Sequence, residues 1–233
     1  VRCDATAFVA EAVAPHPPAH PFVSRIVHAD EHTVVVTSLG RRDGGTLVWR
    51  LDRASARWLC LGEVVCEAQR VVCDGARAAA FDRNALVCWD VATGEETRWH
   101  RGFGAAVAAV AVRGPRVAAH DGDGDLRVFD AEGLAERWTL EPGSRRENSR
   151  PRALAISHDA RSLYTVTPME GLVRWDLDAG AIGATGPRVR SSPERLVLAP
   201  EGNAALGLAR PDTLDREPPV RRMNLRGEAR WAL

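Results

Sequence analysis

Large side chains recur along this chain at a nearly fixed interval. Trp49 stands in TLVWRLD, Trp89 in ALVCWDV, Phe129 in DLRVFDA and Trp175 in GLVRWDL. A fifth, more divergent copy follows at Met223, in VRRMNL. Each copy shows two small or apolar residues, one large residue and then usually an acid. The acid is Asp90, Asp130 or Asp176, while the outer copies carry Arg50 and Asn224. A second register runs behind the first. Arg-Trp recurs at Trp58, Trp99, Trp138 and Trp231, each at a similar short spacing after the large residue of its own copy. All seven tryptophans fall in one register or the other, and only the fourth copy lacks the second one, reading AIGA instead.

The residues between these landmarks read as short strands. Upstream of each large residue, two apolar runs flank a polar turn: HADEH (28–32), DGAR (74–77), RGPR (113–116), HDAR (158–161) and PEGN (200–203). Asp, Gly, Pro and Asn supply turn chemistry, and the flanking runs are β-branched or alternating. Each copy therefore predicts four strands, a–b–c–d. Repeats of roughly 40–50 residues built this way predict an all-β chain, a β-propeller of four-stranded antiparallel blades. One blade cannot bury both faces of its own sheet, and stacking around an axis solves that problem. The large residue on strand c is expected to fill the space between blades. About five blades are legible, over residues 20–64, 65–104, 105–147, 148–191 and 192–233. Either five close the ring, or two more belong to a seven-bladed ring. Residues 1–19, with the stiff PHPPAHP run (15–21), read as a linker or an added strand.

Composition narrows the function. The chain has 31 basic and 31 acidic residues, and every basic one is arginine, a bias expected of a GC-rich bacterial-type genome. Net neutrality gives no global pull toward nucleic acid or an anionic membrane. The longest apolar run, Ala105 to Val112, is too short for a membrane-spanning helix. Five cysteines without a C-x-x-C pair read as free thiols in a reducing, cytoplasmic setting.

The strings LVCWDVATGE (86–95), LVRWDLDAG (172–180) and DLRVFDAEG (125–133) resemble WD-repeats. The resemblance covers residues 20 to 233. Asp43 and Asp123 match the family's b–c turn acid, six residues before the large residue. The second and fourth copies have Arg83 and Met169 there, with Asp82 and Glu170 adjacent. The family's Gly-His pair before strand a is missing from every copy. Quinoprotein-type propeller repeats are the nearest competing pattern, since VATGEETRW (91–99) resembles them as well. The Trp-Asp dipeptides favour the WD reading, which implies protein or peptide partners.

Candidate chemistry is sparse. DGDGD (121–125) with Glu132 at the twelfth position echoes a calcium loop, yet Leu126 holds the place of the required glycine. His28 and His32 have helical ligand spacing but lie in a predicted hairpin turn; His16 and His20 precede them, and His100, His120 and His158 stand singly. No nucleophile elbow or phosphate-binding loop is present. No metal, cofactor or catalytic residue is therefore assigned. Two loops stand out. The d–a connection EPGSRRENSRPR (141–152) holds four arginines against two glutamates, and the b–c loop ARPDTLDREPP (209–219) is unusually long. In a propeller these loop classes emerge on one face. Arg145, Arg146, Arg150 and Arg152, with Asp212, Asp215 and Arg216, are the expected partner-binding residues.

The expected function is a non-catalytic protein-interaction scaffold or sensor domain, within a larger signalling or regulatory protein or complex. Its partner is a protein or peptide, rather than nucleic acid, membrane or a small molecule. A quinoprotein-like or hydrolytic propeller enzyme is the rival. A purely structural propeller inside an assembly is the third reading.

Overall fold

A computed structural model describes residues 23–40, 45–66, 70–82, 85–99, 103, 107–121, 125–140, 153–167, 171–185, 195–198, 204–208 and 220–224. The elements among them are all strands, arranged in five antiparallel sheets in chain order. The first sheet is β1 (Val23–Ala29), β2 (Thr33–Leu39), β3 (Thr46–Asp52) and β4 (Arg57–Val64). The second is β5 (Val72–Cys73), β6 (Arg77–Asp82), β7 (Ala85–Asp90) and β8 (Glu96–Trp99). The third is β9 (Val107–Arg113), β10 (Arg116–Asp121), β11 (Leu126–Asp130) and β12 (Glu136–Leu140). The fourth is β13 (Ala153–Ile156), β14 (Ser162–Thr167), β15 (Gly171–Asp176) and β16 (Ala181–Thr185). The fifth has three described strands, β17 (Arg195–Leu198), β18 (Ala204–Leu208) and β19 (Val220–Asn224). Within each sheet the strands pair in sequence order. Successive sheets meet through their first strands: β1 against β5, β5 against β9, β9 against β13 and β13 against β17. This is the β-propeller architecture.

One row of residues crosses each sheet and explains the sequence repeat. Directly paired residues share a face. The rows read Ile26–Val36–Trp49–Cys60, Cys73–Ala78–Trp89–Glu96, Val112–Val117–Phe129–Glu136 and Ile156–Leu163–Trp175–Ile182. In the fifth sheet the row is Leu198–Ala205–Met223, so the divergent copy keeps the backbone register of the others. The rows of the second, third and fourth sheets face the preceding sheet. Trp89 packs with Val35, Val48 and Leu61 of the first sheet. Phe129 packs with Ala79, Phe81 and Leu86 of the second, and Trp175 with Ala118, Leu126 and Val128 of the third.

Small residues make room for the large ones. Ala78, Ala79, Ala80, Ala118 and Ala119 on the second strands are fully buried at these seams. Burying one tryptophan removes roughly 150–250 Å² from water, so the seams carry most of the cohesion between sheets. The indole N–H groups must also be satisfied. Trp49 donates to Ser38 Oγ at 3.0 Å, Trp89 to Glu96 Oε2 at 3.0 Å and Trp175 to Thr165 Oγ1 at 3.1 Å. Phe129 has no such requirement and instead joins Phe81 and Phe103, with Phe103 6.4 Å from Phe129 and edge-on to Phe81 at 5.8 Å.

The second tryptophan register is not one structural position. Trp58 stands opposite Leu51, two residues from Trp49, and packs on the Trp49 face. Trp138 stands opposite Val128, one residue from Phe129, and packs on the opposite face against the fourth sheet. A bulge between Val128 and Phe129 sets this offset. Trp99 pairs with Leu86 on β8. Trp231 lies outside the described residues.

Candidate interaction faces

Antiparallel order puts the a–b and c–d turns at one end of every sheet and the b–c and d–a connections at the other. The first end is a clamped platform. Asp30 Oδ1 accepts from the backbone N–H of His32 at 2.8 Å and of Thr33 at 2.7 Å. Asp74 Oδ1 accepts from Ala76 and Arg77 in the same way, at 3.0 and 2.8 Å. In the c–d turns, Asp90 Oδ1 accepts from Ala92 and Thr93, both at 2.9 Å. Asp176 Oδ1 accepts from Asp178 at 2.9 Å and Ala179 at 3.0 Å. In the second and fourth sheets the acid after the large residue is thus an Asx-turn residue, whereas Asp130 of the third takes the guanidinium groups of Arg116 and Arg137. In the first sheet that role moves two positions, from Arg50 to Asp52, which accepts from Ser55 N–H at 2.9 Å.

The bonds at Asp30, Asp52, Asp90 and Asp176 favour the charged carboxylate. A hydrogen bond from His28, then the backbone donors, pulls Asp30 down to about 2. Backbone donation from Ser55, Thr93 and Ala179 lowers Asp52, Asp90 and Asp176 respectively, and the Ser157 hydroxyl lowers Asp159. In the second, third and fourth sheets the arginine that ends the a–b turn reaches across to a c–d acid. Arg77 lies 3.6 Å from Asp90, Arg161 lies 3.7 Å from Asp178, and Arg116 bonds Asp130. Those arginines were visible as the last residue of DGAR, RGPR and HDAR, a regularity that turn chemistry alone does not explain.

Further bonds link one sheet to the next. Arg50 Nη1 donates to the Val91 carbonyl at 3.0 Å, and Trp138 Nε1 donates to the Leu177 carbonyl at 3.0 Å. Val91 and Leu177 are equivalent residues, each following the turn acid. Gly114 N–H donates to Asp74 Oδ2, and Arg113 bonds His158 Nδ1. Gly180, at φ +64°, lies against the Trp138 ring, where a Cβ would come within 2.6 Å of it.

The opposite end is the face of the arginine-rich connection. Arg145, Arg146, Arg150 and Arg152 belong to the link from β12 to β13, and Asp212, Asp215 and Arg216 to the link from β18 to β19. All seven lie outside the described residues, as do Asp43, Arg83, Asp123, Met169 and Glu170. The described part of this end is anchored by buried polar groups. Asp82 Oδ1 accepts from Val65 N–H at 3.1 Å, and its other oxygen takes the Arg98 guanidinium. Asp121 is fully buried and closes the b–c turn, accepting from Asp125 N–H at 3.0 Å.

Asp121 therefore acts as a turn clamp. Strand β11 places Glu132 at the far end from Asp121 and Asp125, so the twelve-residue calcium loop does not form. His28 is the penultimate residue of β1, bonded to Asp30 at 2.9 Å, and His32 is exposed in the following turn. His16, His20 and His100 lie outside the described residues. His120 is the functional-type residue that the sequence did not single out. It is 1% exposed, and its Nδ1 donates to the Asp121 carbonyl at 2.9 Å. A carbonyl only accepts, so the neutral ring keeps its lone pair on Nε2, which is buried without a hydrogen-bond partner among the described residues. Desolvation lowers the tendency of His120 to protonate, with Asp121 opposing and Arg70 adding to the shift. Among the described residues, Cys60, Cys66, Cys73 and Cys88 form no disulfide. Burial pushes Cys73 up to about 12 and Cys88 up to about 11, which makes both inert.

Comparison with known proteins bears on fold and family. Among curated proteins, none matches the chain in sequence. A chain in the crystal structure of the mitotic checkpoint complex superposes with a TM-score of 0.62 at 17% identity, over 84% of this chain. This chain spans only 61% of that neighbour. The computationally designed Ika4 protein superposes with a TM-score of 0.51 at 20% identity, over 66% of this chain and 88% of its own. At these identities the likeness concerns the fold. A family model described as outer membrane protein assembly factor BamB matches residues 31–205, more than half of the chain. The match falls on the quinoprotein-type side of the two repeat patterns, and not on the WD-repeat side that the Trp-Asp dipeptides favoured. The chain belongs to the PQQ_2 family, that of outer membrane protein assembly factor BamB.

Proposed function

We propose that this propeller is a non-catalytic protein-interaction module whose partner is a protein or peptide. The observation that carries the reading is the clamped platform. Its acids are committed to turn closure and its turns are tied from sheet to sheet, so the strand ends that launch the opposite loops are held fixed. Rigid strands carrying variable loops are the usual construction of a binding face. The family description, an assembly factor for other proteins, supports a protein partner. The WD-repeat-like Trp-Asp strings support the same partner class.

In this reading Arg145, Arg146, Arg150 and Arg152 contact the partner, together with Asp212, Asp215 and Arg216. The setting in this reading is a reducing, cytoplasmic one, supported by four cysteines among the described residues that form no disulfide, two of them held protonated by burial. The test starts with partners cross-linked to the wild-type chain. Each is then measured against a variant with all four arginines changed to glutamate. Affinity should fall by about tenfold or more, chiefly through association rate, and its salt dependence should flatten. Unchanged binding and unchanged salt dependence would remove the arginine-rich loop from the interface.

A further inference from the structure

The outer strands β4, β8, β12 and β16 are edge strands of their sheets. An edge presents unpaired backbone donors and acceptors, and charged side chains normally guard it against pairing with another chain. β4 carries Arg57 and Glu63, β8 carries Glu96 and Arg98, and β12 carries Glu136 and Arg137. β16 reads AIGAT and carries no charge. The register shows what was exchanged. Opposite the large residue of strand c stand Glu96 in the second sheet and Glu136 in the third. Both carboxylates are used within their own sheet. Glu96 accepts from the Trp89 indole and from Arg98, and Glu136 accepts from Arg127 and Thr139. In the fourth sheet the same place belongs to Ile182, which is 48% exposed.

Two further residues of this sheet lack an internal explanation. Gly183, exposed beside Ile182, is the extra residue of the β15–β16 bulge. It is not among the glycines at positive φ, and a Cβ there would make only ordinary contacts, the nearest at 3.7 Å. Neither backbone conformation nor internal packing demands glycine here, whereas close approach of another backbone does favour it. Arg174 is exposed in the middle of β15, between buried Val173 and Trp175. Its Nε donates to Ser162 Oγ at 3.0 Å, and among the described residues it forms no ion pair. Arg127, on the corresponding strand of the third sheet, has Glu136 from the outer strand. The residue paired with Arg174 is Ala184, and β16 supplies no acid.

We propose that the free edge of β16 is a docking site for an extended segment of a partner protein, which adds to the fourth sheet as a fifth strand. The segment carries an apolar side chain beside Ile182 and an acidic one on the opposite face, directed at Arg174. An added strand lies two strand spacings from β15, about 10 Å, which an arginine and a glutamate side chain span together. Main-chain bonds supply affinity in this mode and the alternate side chains supply specificity. A second copy pairing through its own β16 would bring no acid to Arg174, so charge complementarity favours a different chain. The surface lies on the outer rim and stands apart from the arginine-rich loop, so either can fail without the other.

The probe is a short synthetic peptide of alternating valine and glutamate, titrated against the 233-residue chain by fluorescence anisotropy. Binding should slow hydrogen exchange in β16 and leave β4, β8 and β12 unchanged. Methylation of the peptide amides that face β16 should weaken it by about tenfold or more. Replacing the glutamates by lysines should weaken it by a similar factor, and Arg174→Glu should invert that preference, with Arg174→Gln abolishing it. Thermal unfolding of both variants checks that the fold is kept. Absence of binding would overturn the proposal, as would binding indifferent to amide methylation or a charge preference that Arg174→Glu leaves unchanged. A dimer in light scattering that Ile182→Lys dissociates would also overturn it, by giving the edge to a second copy.

Discussion

The seam between the third and fourth sheets and the front of the first sheet are built from equivalent residues and end in different states. In the seam, Ile156, Leu163 and Trp175 are all buried, against Ala118, Leu126 and Val128 of the neighbouring sheet. At the front, Val36 and Trp49 are covered while Ile26 stands in solvent. Both regions are paired from the first strand to the fourth. The difference therefore lies in what the next sheet supplies. A propeller blade makes its own hydrogen bonds, and its inner strand depends on a neighbour for burial.

This contrast sets the ranking of substitutions. The largest losses should come from the centres of filled seams. Trp175→Ala and Trp89→Ala should each cost about 3–5 kcal/mol in denaturant unfolding, because each opens a cavity that the small facing residues cannot refill. A loss below about 1 kcal/mol would mean that the row does not carry the seam. Next comes the inner strand. Ile156→Ala should cost about 2–4 kcal/mol, while Ile26→Ala in this chain should stay within about 0.5 kcal/mol. Equal costs at the two sites would erase the distinction between seam and front.

Hydrogen bonding to the indoles should follow the same order with smaller values. Thr165→Val leaves the buried Trp175 N–H unpaired, a cost of about 1–3 kcal/mol by thermal or denaturant unfolding. A neutral result would show that the Trp175 N–H finds another acceptor. The smallest effect is electrostatic. His120 is buried neutral, and its readiness to protonate is lower folded than unfolded. Stability should therefore be independent of this group above the ordinary histidine range. As pH falls through that range, the unfolded chain takes a proton that the folded chain refuses, and stability should fall. His120→Gln should flatten that part of the pH profile. An unchanged slope would assign it to other groups.

Much of the fold was legible because the seam demands one large residue per blade, at one register position. Trp49, Trp89, Phe129 and Trp175 mark it directly, and even Met223 keeps the pairing. The Arg-Trp repeat misled in one respect. Trp58 and Trp138 look equivalent in sequence but face opposite ways, because Trp58 precedes the bulge of its strand pair and Trp138 follows it. The cause is the longer first hairpin, in which β3 runs two residues further past its large residue before turning, a difference that spacing from that residue does not encode. The same extension moves the turn acid of the first copy from Arg50 to Asp52. His120 gave no signal on its own. Its burial follows from sharing a strand with Ala118 and Ala119, whose neighbours are other sheets. The expected binding residues were chosen by loop length and arginine content, which report on charge and not on position.

Hydrogen exchange on the first strands tests the account most directly. In every sheet the first strand is an edge strand, so β1, β9, β13 and β17 differ chiefly in what packs beside them. The account calls for slow exchange of the bonded amides in β9 and β13 and clearly faster exchange in β1 and β17 of the 233-residue chain. Equal protection in all four would contradict it, and would mean that the five sheets already close upon themselves.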